Sequence, residues 1–142
     1  MNNPILIVED DPDDETLMLR ALKKINLGNP VDIVRDGEEA LDYLFKTGPY
    51  QDRKSGNPRV VLLDIKLPKF SGLEVLKRIR EDARTRFQPV VMLTSSDEQE
   101  DMLRSYELAA NSYVRKPVEF AAFSQAVSHL GLYWLLVNEI PE

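Results

Sequence analysis

The sequence predicts an α/β domain, an open parallel sheet wound on both faces by helices. Three observations carry that prediction. Ile5 to Val8, Val60 to Leu63 and Val90 to Leu93 are continuous apolar runs, as expected of strands covered on both faces. Segments with apolar residues at helical spacing separate them. The order strand then helix recurs five times along 142 residues, a length that fits one compact domain.

The first strand, Ile5 to Val8, is followed by a helix carrying Leu17, Met18, Ala21, Leu22 and Ile25, which Gly28, Asn29 and Pro30 end. Val31, Ile33 and Val34 suggest the second strand. Asp36-Gly37 punctuates it, and Ala40, Leu41, Leu44 and Phe45 mark the second helix. TGPYQDRKSGNP, Thr47 to Pro58, reads as a loop that is long for a compact domain. Val60 to Leu63 is the third strand, and Pro68 to Gly72 turns into a helix bearing Leu73, Leu76 and Ile79. Pro89 leads into the fourth strand, and Met102, Tyr106 and Ala109 mark the fourth helix. Ser112 to Val114 is a weaker fifth strand, followed by a helix with Phe120, Phe123, Val127 and Leu130. The tail GLYWLLVNEIPE, residues 131–142, is strongly apolar beyond the point where that helix should end.

Composition removes several classes of function. Hydrophobic residues make up 43% of the chain, enough for one real core without disulfides or a structural metal. There is no cysteine, so thiol catalysis and zinc–cysteine clusters are excluded, and a reducing, cytoplasmic setting is expected. The start MNNPILIVEDD has no basic n-region, so no signal peptide is expected, and no stretch is long enough to span a bilayer. A net charge of −6 argues against direct binding to nucleic acid, which needs a basic face.

In open α/β sheets, sites form at the carboxyl ends of the strands. Glu9 and Asp10 follow the first strand, Asp64 the third, Thr94 with Ser95 and Ser96 the fourth, and Lys116 the fifth. Three carboxylates at buried strand ends repel one another unless a cation lies among them, and a hard divalent ion with oxygen ligands such as Mg2+ suits that set. Lys116 would pair with a carboxylate or hold an anion. A cation, an ammonium and a hydroxyl together form a receptor for the charge on a phosphoryl group in transfer, with one carboxylate as nucleophile. Asp13, Asp14 and Glu15 have a simpler reading: acids in a first helical turn interact favourably with the helix dipole. Asp11 before Pro12 reads as an N-cap followed by proline at N1. His129 reads as a surface or capping residue, with no phosphotransfer motif around it.

Four motifs in register, ILIVEDD, VVLLDIKLPKFSG, VVMLTSS and SYVRKPV, resemble the receiver domain of two-component response regulators over nearly the whole chain. The resemblance implies a flavodoxin-like sheet of strand order 2-1-3-4-5 in a single receiver domain, residues 1–142. It implies that Asp64 accepts the phosphoryl group and that Asp10 binds Mg2+ directly, with Glu9 acting mostly through water. The backbone carbonyl of Lys66 completes the metal ligands. It further implies that Thr94 and Lys116 contact the phosphoryl group, that Tyr113 is an aromatic switch, and that the Lys116–Pro117 bond is cis. The side chains of Lys66 and Ser96 flank the site and are expected to tune the phosphorylated lifetime.

Two features depart from a minimal receiver, the 47–58 loop and the tail. With LGLYWLL they resemble single-domain regulators paired with phytochrome-type light-sensing histidine kinases, which implies such a kinase as partner. The first acid is Glu9 where the family more often has Asp. A homodimer is expected through the fourth and fifth helices and Tyr133, Trp134, Leu135 and Leu136. The chain ends without a DNA-binding or catalytic domain, so output is expected by protein contact, by altered dimerisation or as a relay to another protein, and the only chemistry expected is its own phosphorylation and dephosphorylation. Two other functions use similar parts. A Mg2+-dependent phosphatase of the haloacid dehalogenase type also has an aspartyl nucleophile, but expects it as Asp-x-Asp after the first strand, where this chain reads Glu9-Asp10-Asp11. A dimeric adaptor that never accepts phosphate is the third reading, and the intact acid, hydroxyl and lysine set counts against it.

Overall fold

In a computed structural model, residues 3–25, 29–95 and 112–116, with 110, 121 and 125, are described. The expected fourth and fifth helices, Ser96, Pro117, His129 and the tail from 131 to 142 lie outside the described residues, apart from 121 and 125, which are helical. The elements run β1 (Ile5–Val8), α1 (Pro12–Ile25), β2 (Val31–Val34), α2 (Gly37–Phe45), β3 (Val60–Asp64), α3 (Gly72–Glu81), β4 (Val90–Thr94) and β5 (Ser112–Arg115). All strands are parallel, in the order β2-β1-β3-β4-β5. The doubly wound sheet and its expected strand order are therefore present.

Alternation along the strands divides the core into two layers. Ile5, Ile7, Val60, Leu62, Val91, Leu93 and Val114 pack with Met18, Ala21 and Leu22 of α1 on one face. Leu6, Val8, Val61, Leu63, Val90 and Met92 pack with Ala40, Leu41 and Leu44 of α2 and Val75, Leu76 and Ile79 of α3 on the other. β1, β3 and β4 are buried at every position, as their unbroken apolar runs require. The edge strands β2 and β5 are partly exposed.

Helix starts follow local chemistry. Asp36 and Ser71 cap α2 and α3 by accepting from Glu39 N and Glu74 N. Asp11 Oδ1 accepts from Asp13 N at 2.8 Å before Pro12 opens α1.

The 47–58 segment is more ordered than its composition suggests. Gly48–Tyr50 forms a 3-10 turn, entered through Gly48 at φ 53° with Pro49 following. Arg53 lies 4.2 Å over the Tyr43 ring, donates from Nε to the Tyr43 carbonyl, and reaches the Ser55 and Gly56 carbonyls through Nη1. Tyr50 meets Tyr43 edge to face at 5.2 Å and donates to Glu39 Oε2 at 2.6 Å. Tertiary contacts with α2, which no local pattern displays, supply this order.

Candidate phosphoryl-acceptor and metal site

Adjacent parallel strands end at one edge of the sheet, so residues scattered through the sequence meet there. Glu9 follows β1, and its N–H donates to Val34 O at 3.1 Å, extending the β1–β2 ladder by one residue. Glu9 is fully buried, Asp64 at the end of β3 is 3% exposed, and Thr94 at the end of β4 is fully buried. Asp10 faces outward. Carboxylate oxygens of Glu9, Asp10 and Asp64 lie within 4.8 Å of one another. Lys116 follows β5, and its N–H donates to Thr94 O at 2.6 Å, which holds its side chain at the same edge.

Lys116 Nζ is the centre of charge balance. It donates to Asp64 Oδ2 at 2.8 Å and Glu9 Oε1 at 3.2 Å, and lies 2.8 Å from Asp14 Oδ2. Burial works against an ammonium. Hydrogen bonds to Asp14, Asp64 and Glu9 outweigh that burial and hold the lysine above its ordinary pKa. The opposite balance holds at Glu9. Burial, with the Asp64 charge beside it, pushes the carboxyl up to about 7 against the pull of Lys116. Glu9 Oε1 also accepts from Asp11 N at 3.1 Å. Glu9 Oε2 is 3.0 Å from Nζ, but at an angle that makes no hydrogen bond, so a buried oxygen keeps a lone pair without a donor.

The β3–α3 turn is fixed from below. Lys66 N donates to Asp64 Oδ1 at 3.2 Å, Gly72 N to Ile65 O at 2.7 Å, and Gly37 N to Pro68 O at 3.2 Å. Lys69 takes a left-handed conformation at φ 69°, and its ammonium reaches Glu38 at 3.3 Å. An open cleft of about 470 Å3, lined by Asp10, Ile65, Lys66, Leu67, Pro68, Ser71 and Leu73, gives access to this side of the site.

The donor set fits the implied ion. Glu9, Asp10 and Asp64 supply hard oxygen ligands, the orphaned Glu9 Oε2 has capacity to spare, and the exposed side at Asp10 leaves room for waters that Mg2+ retains. The structure thus brings Glu9, Asp10, Asp64, Thr94 and Lys116 to one edge, with the Lys66 backbone in the adjoining turn. Tyr113 lies on β5, 37% exposed. Tyr133, Trp134, Leu135 and Leu136 lie outside the described residues.

One participant differs from its sequence reading. Asp14 is no mere first-turn acid, because its carboxylate touches Lys116. No local pattern marks this contact, because Asp10 and its neighbours precede the helix and helical spacing does not relate Asp14 to them. Glu15 likewise has a partner, Arg35 of the β2–α2 connection.

Comparison with known proteins agrees with this geometry. The response regulator receiver domain family matches residues 5–128. The bacteriophytochrome response regulator RtBRR has a similar structure, with a TM-score of 0.89 and 53% identity, over 99% of this chain and 85% of that one. The phosphorylated cyanobacterial phytochrome response regulator RcpA has a TM-score of 0.81 and 34% identity, over 100% of both chains. The response regulator Rcp1 of Synechocystis sp. is 35% identical over 137 residues, 96% of this chain and 92% of its own. The Mn2+-bound form of Rcp1 gives a TM-score of 0.79 over 99% of each chain.

Proposed function

The chain belongs to the response regulator receiver family, and from that premise we propose that Asp64 accepts a phosphoryl group from a sensor histidine kinase, with Mg2+ bound. One observation carries the proposal: the Asp64 carboxylate ends β3 with Lys116 Nζ at 2.8 Å and two further carboxylates beside it. In the transfer, a carboxylate oxygen of Asp64 forms a bond to phosphorus while the P–N bond of the kinase's phosphohistidine breaks. The electron pair of that bond leaves on the imidazole nitrogen. Glu9, Asp10, Asp64 and the Lys66 carbonyl would hold the ion, which supplies positive charge to the phosphoryl oxygens. Lys116 neutralises a further oxygen and the Thr94 hydroxyl donates to another. The new charge then biases a two-state element that includes Thr94 and Tyr113.

The likeness to RtBRR and RcpA supports a bacterial phytochrome as the kinase. Residues 1–142 act as one receiver domain in the cytoplasm, signalling by contact with a protein and not by binding nucleic acid, in keeping with a net charge of −6. Among the described residues no helix is long and apolar enough to cross a membrane. Residues 131–142, with Tyr133 to Leu136, contribute a homodimer contact, and a chain truncated after Gly131 that sediments as the same dimer would refute this.

Incubation with radiolabelled acetyl phosphate and Mg2+ tests the central claim. Label that is retained by the wild type and lost in Asp64→Asn is expected. Rapid multiple turnover of phosphate esters would point to a hydrolase, and no label at all would leave the adaptor.

A further inference from the structure

Asp14 sits in the first turn of α1, where any carboxylate interacts favourably with the helix dipole. The dipole accounts for an acid facing water. It does not account for an oxygen 2.8 Å from Lys116 Nζ, on a residue from the far end of the sheet. An ammonium has three N–H donors. Three carboxylates share this one, with oxygens of Asp64 and Asp14 at 2.8 Å and of Glu9 at 3.2 Å.

We propose that Asp14 is a positioning residue that competes with the phosphoryl group for Lys116 and so weakens the hold of the site on that group. The inference rests on the receiver reading above, in which Lys116 faces the phosphoryl oxygens. Acylation of Asp64 removes its carboxylate charge and puts a phosphoryl dianion in its place, so the anionic charge beside Lys116 rises. The Glu9 side chain is 0% exposed, and a carboxylate that deeply buried loses most by giving up its cation. The Asp14 side chain is 18% exposed and can turn to water, so the Asp14 contact is the one that the phosphoryl oxygens displace. Its loss is a cost that every phosphorylated molecule bears. Without the Asp14 charge that cost vanishes, while Glu9 still holds Lys116 in place.

Calorimetric titration of the full chain with beryllofluoride, an unreactive phosphoryl mimic, in saturating Mg2+ tests this. Asp14→Asn should bind about fivefold or more tightly than wild type, the size expected for one unit charge at a partly exposed site. Asp14→Glu should stay near wild type. Asp13→Asn makes the same change in net charge at an exposed neighbour and should leave the affinity unchanged. Thermal melting of the same variants separates a purely helical role, which would lower the melting temperature of Asp14→Asn and leave the affinity alone. That result, a weaker-binding Asp14→Asn, or an equal gain in Asp13→Asn would each overturn the inference. A wild type that binds no beryllofluoride, or binds it as well after Asp64→Ala, would overturn the receiver reading itself.

Discussion

Gly72 opens α3 against the end of β3, and its surroundings leave no room for a side chain. A Cβ there would lie 2.1 Å from the Asp64 carbonyl oxygen, 2.7 Å from Ile65 Cα and 2.8 Å from the Asp64 carbonyl carbon. All three atoms are backbone, so no rotamer change relieves the overlap. Ordinary contact begins at 3.4 Å, and relief therefore needs more than 1 Å of movement between α3 and β3. Overpacking of this kind costs about 1–3 kcal/mol. The 2.7 Å bond from Gly72 N to Ile65 O would stretch as well, adding about 1 kcal/mol. Alanine's better helix propensity opposes these terms by at most about 1 kcal/mol, and by less in a first turn. Steric overlap wins, and Gly72→Ala is expected to lose about 2–3 kcal/mol by urea denaturation. Because Asp64 moves with the displaced backbone, acetyl phosphate labelling should slow at the same time. A Gly72→Ala protein as stable as wild type and labelled at the same rate would refute the reasoning.

Arg53→Ala removes three backbone contacts and a ring contact in the 47–58 segment. It should cost about 2 kcal/mol and speed limited proteolysis between Thr47 and Pro58; an unchanged cleavage rate would count against the role assigned to Arg53. Burial, and then the bond to Glu39, pushes the Tyr50 phenol up to about 12, while burial and the bond to Asp32 raise Tyr43 further. Both folded pKa values lie above the ordinary phenol value of 10.0, so the stability these phenols contribute is complete below pH 10 and is lost as pH rises toward 12. Phenolate absorbance should therefore finish rising at lower pH in the Tyr43→Phe, Tyr50→Phe double variant than in wild type. Thr85, 2% exposed, donates to Ile79 O at 2.7 Å, and Thr85→Val should lower stability by about 1–2 kcal/mol in denaturant titration.

How far the sequence displays the fold depends on how local each cause is. β1, β3 and β4 are buried on both faces, so their apolar runs are unbroken and easy to read. β2 is an edge strand with Asp32 exposed, and its signal is correspondingly thin. Glu9, Asp64, Thr94 and Lys116 stand at or just after strand ends, so a parallel sheet brings them together whatever the loops do. Asp14 escapes that logic. Its reach to Lys116 depends on how α1 is rotated over β1 and β5, which Met18, Ala21, Leu22 and Val114 set by packing in one cluster. The turn after α3 is equally silent in the sequence, because Gln88 is held by the Pro58 carbonyl at 2.8 Å from a distant loop.

The same packing explains why the site holds its charge at a disadvantage. Glu9 is fully buried beside Asp64, and its carboxyl is pushed up to about 7 although an ammonium lies 3.0 Å away. A fold selected for stability alone would place an apolar residue there, since replacing buried ion pairs by packed hydrophobic groups is often neutral or stabilising. The excess of carboxylate over ammonium is instead what a bound divalent cation would relieve, and Glu9 Oε2 without a donor is its local sign. Occupancy by Mg2+ should therefore stabilise the folded chain by mass action, more strongly at pH 8 than at pH 6, where protonation of Glu9 competes with the ion. Equal shifts in melting temperature at the two pH values would separate the ion from Glu9 and leave Asp10 and Asp64 to hold it.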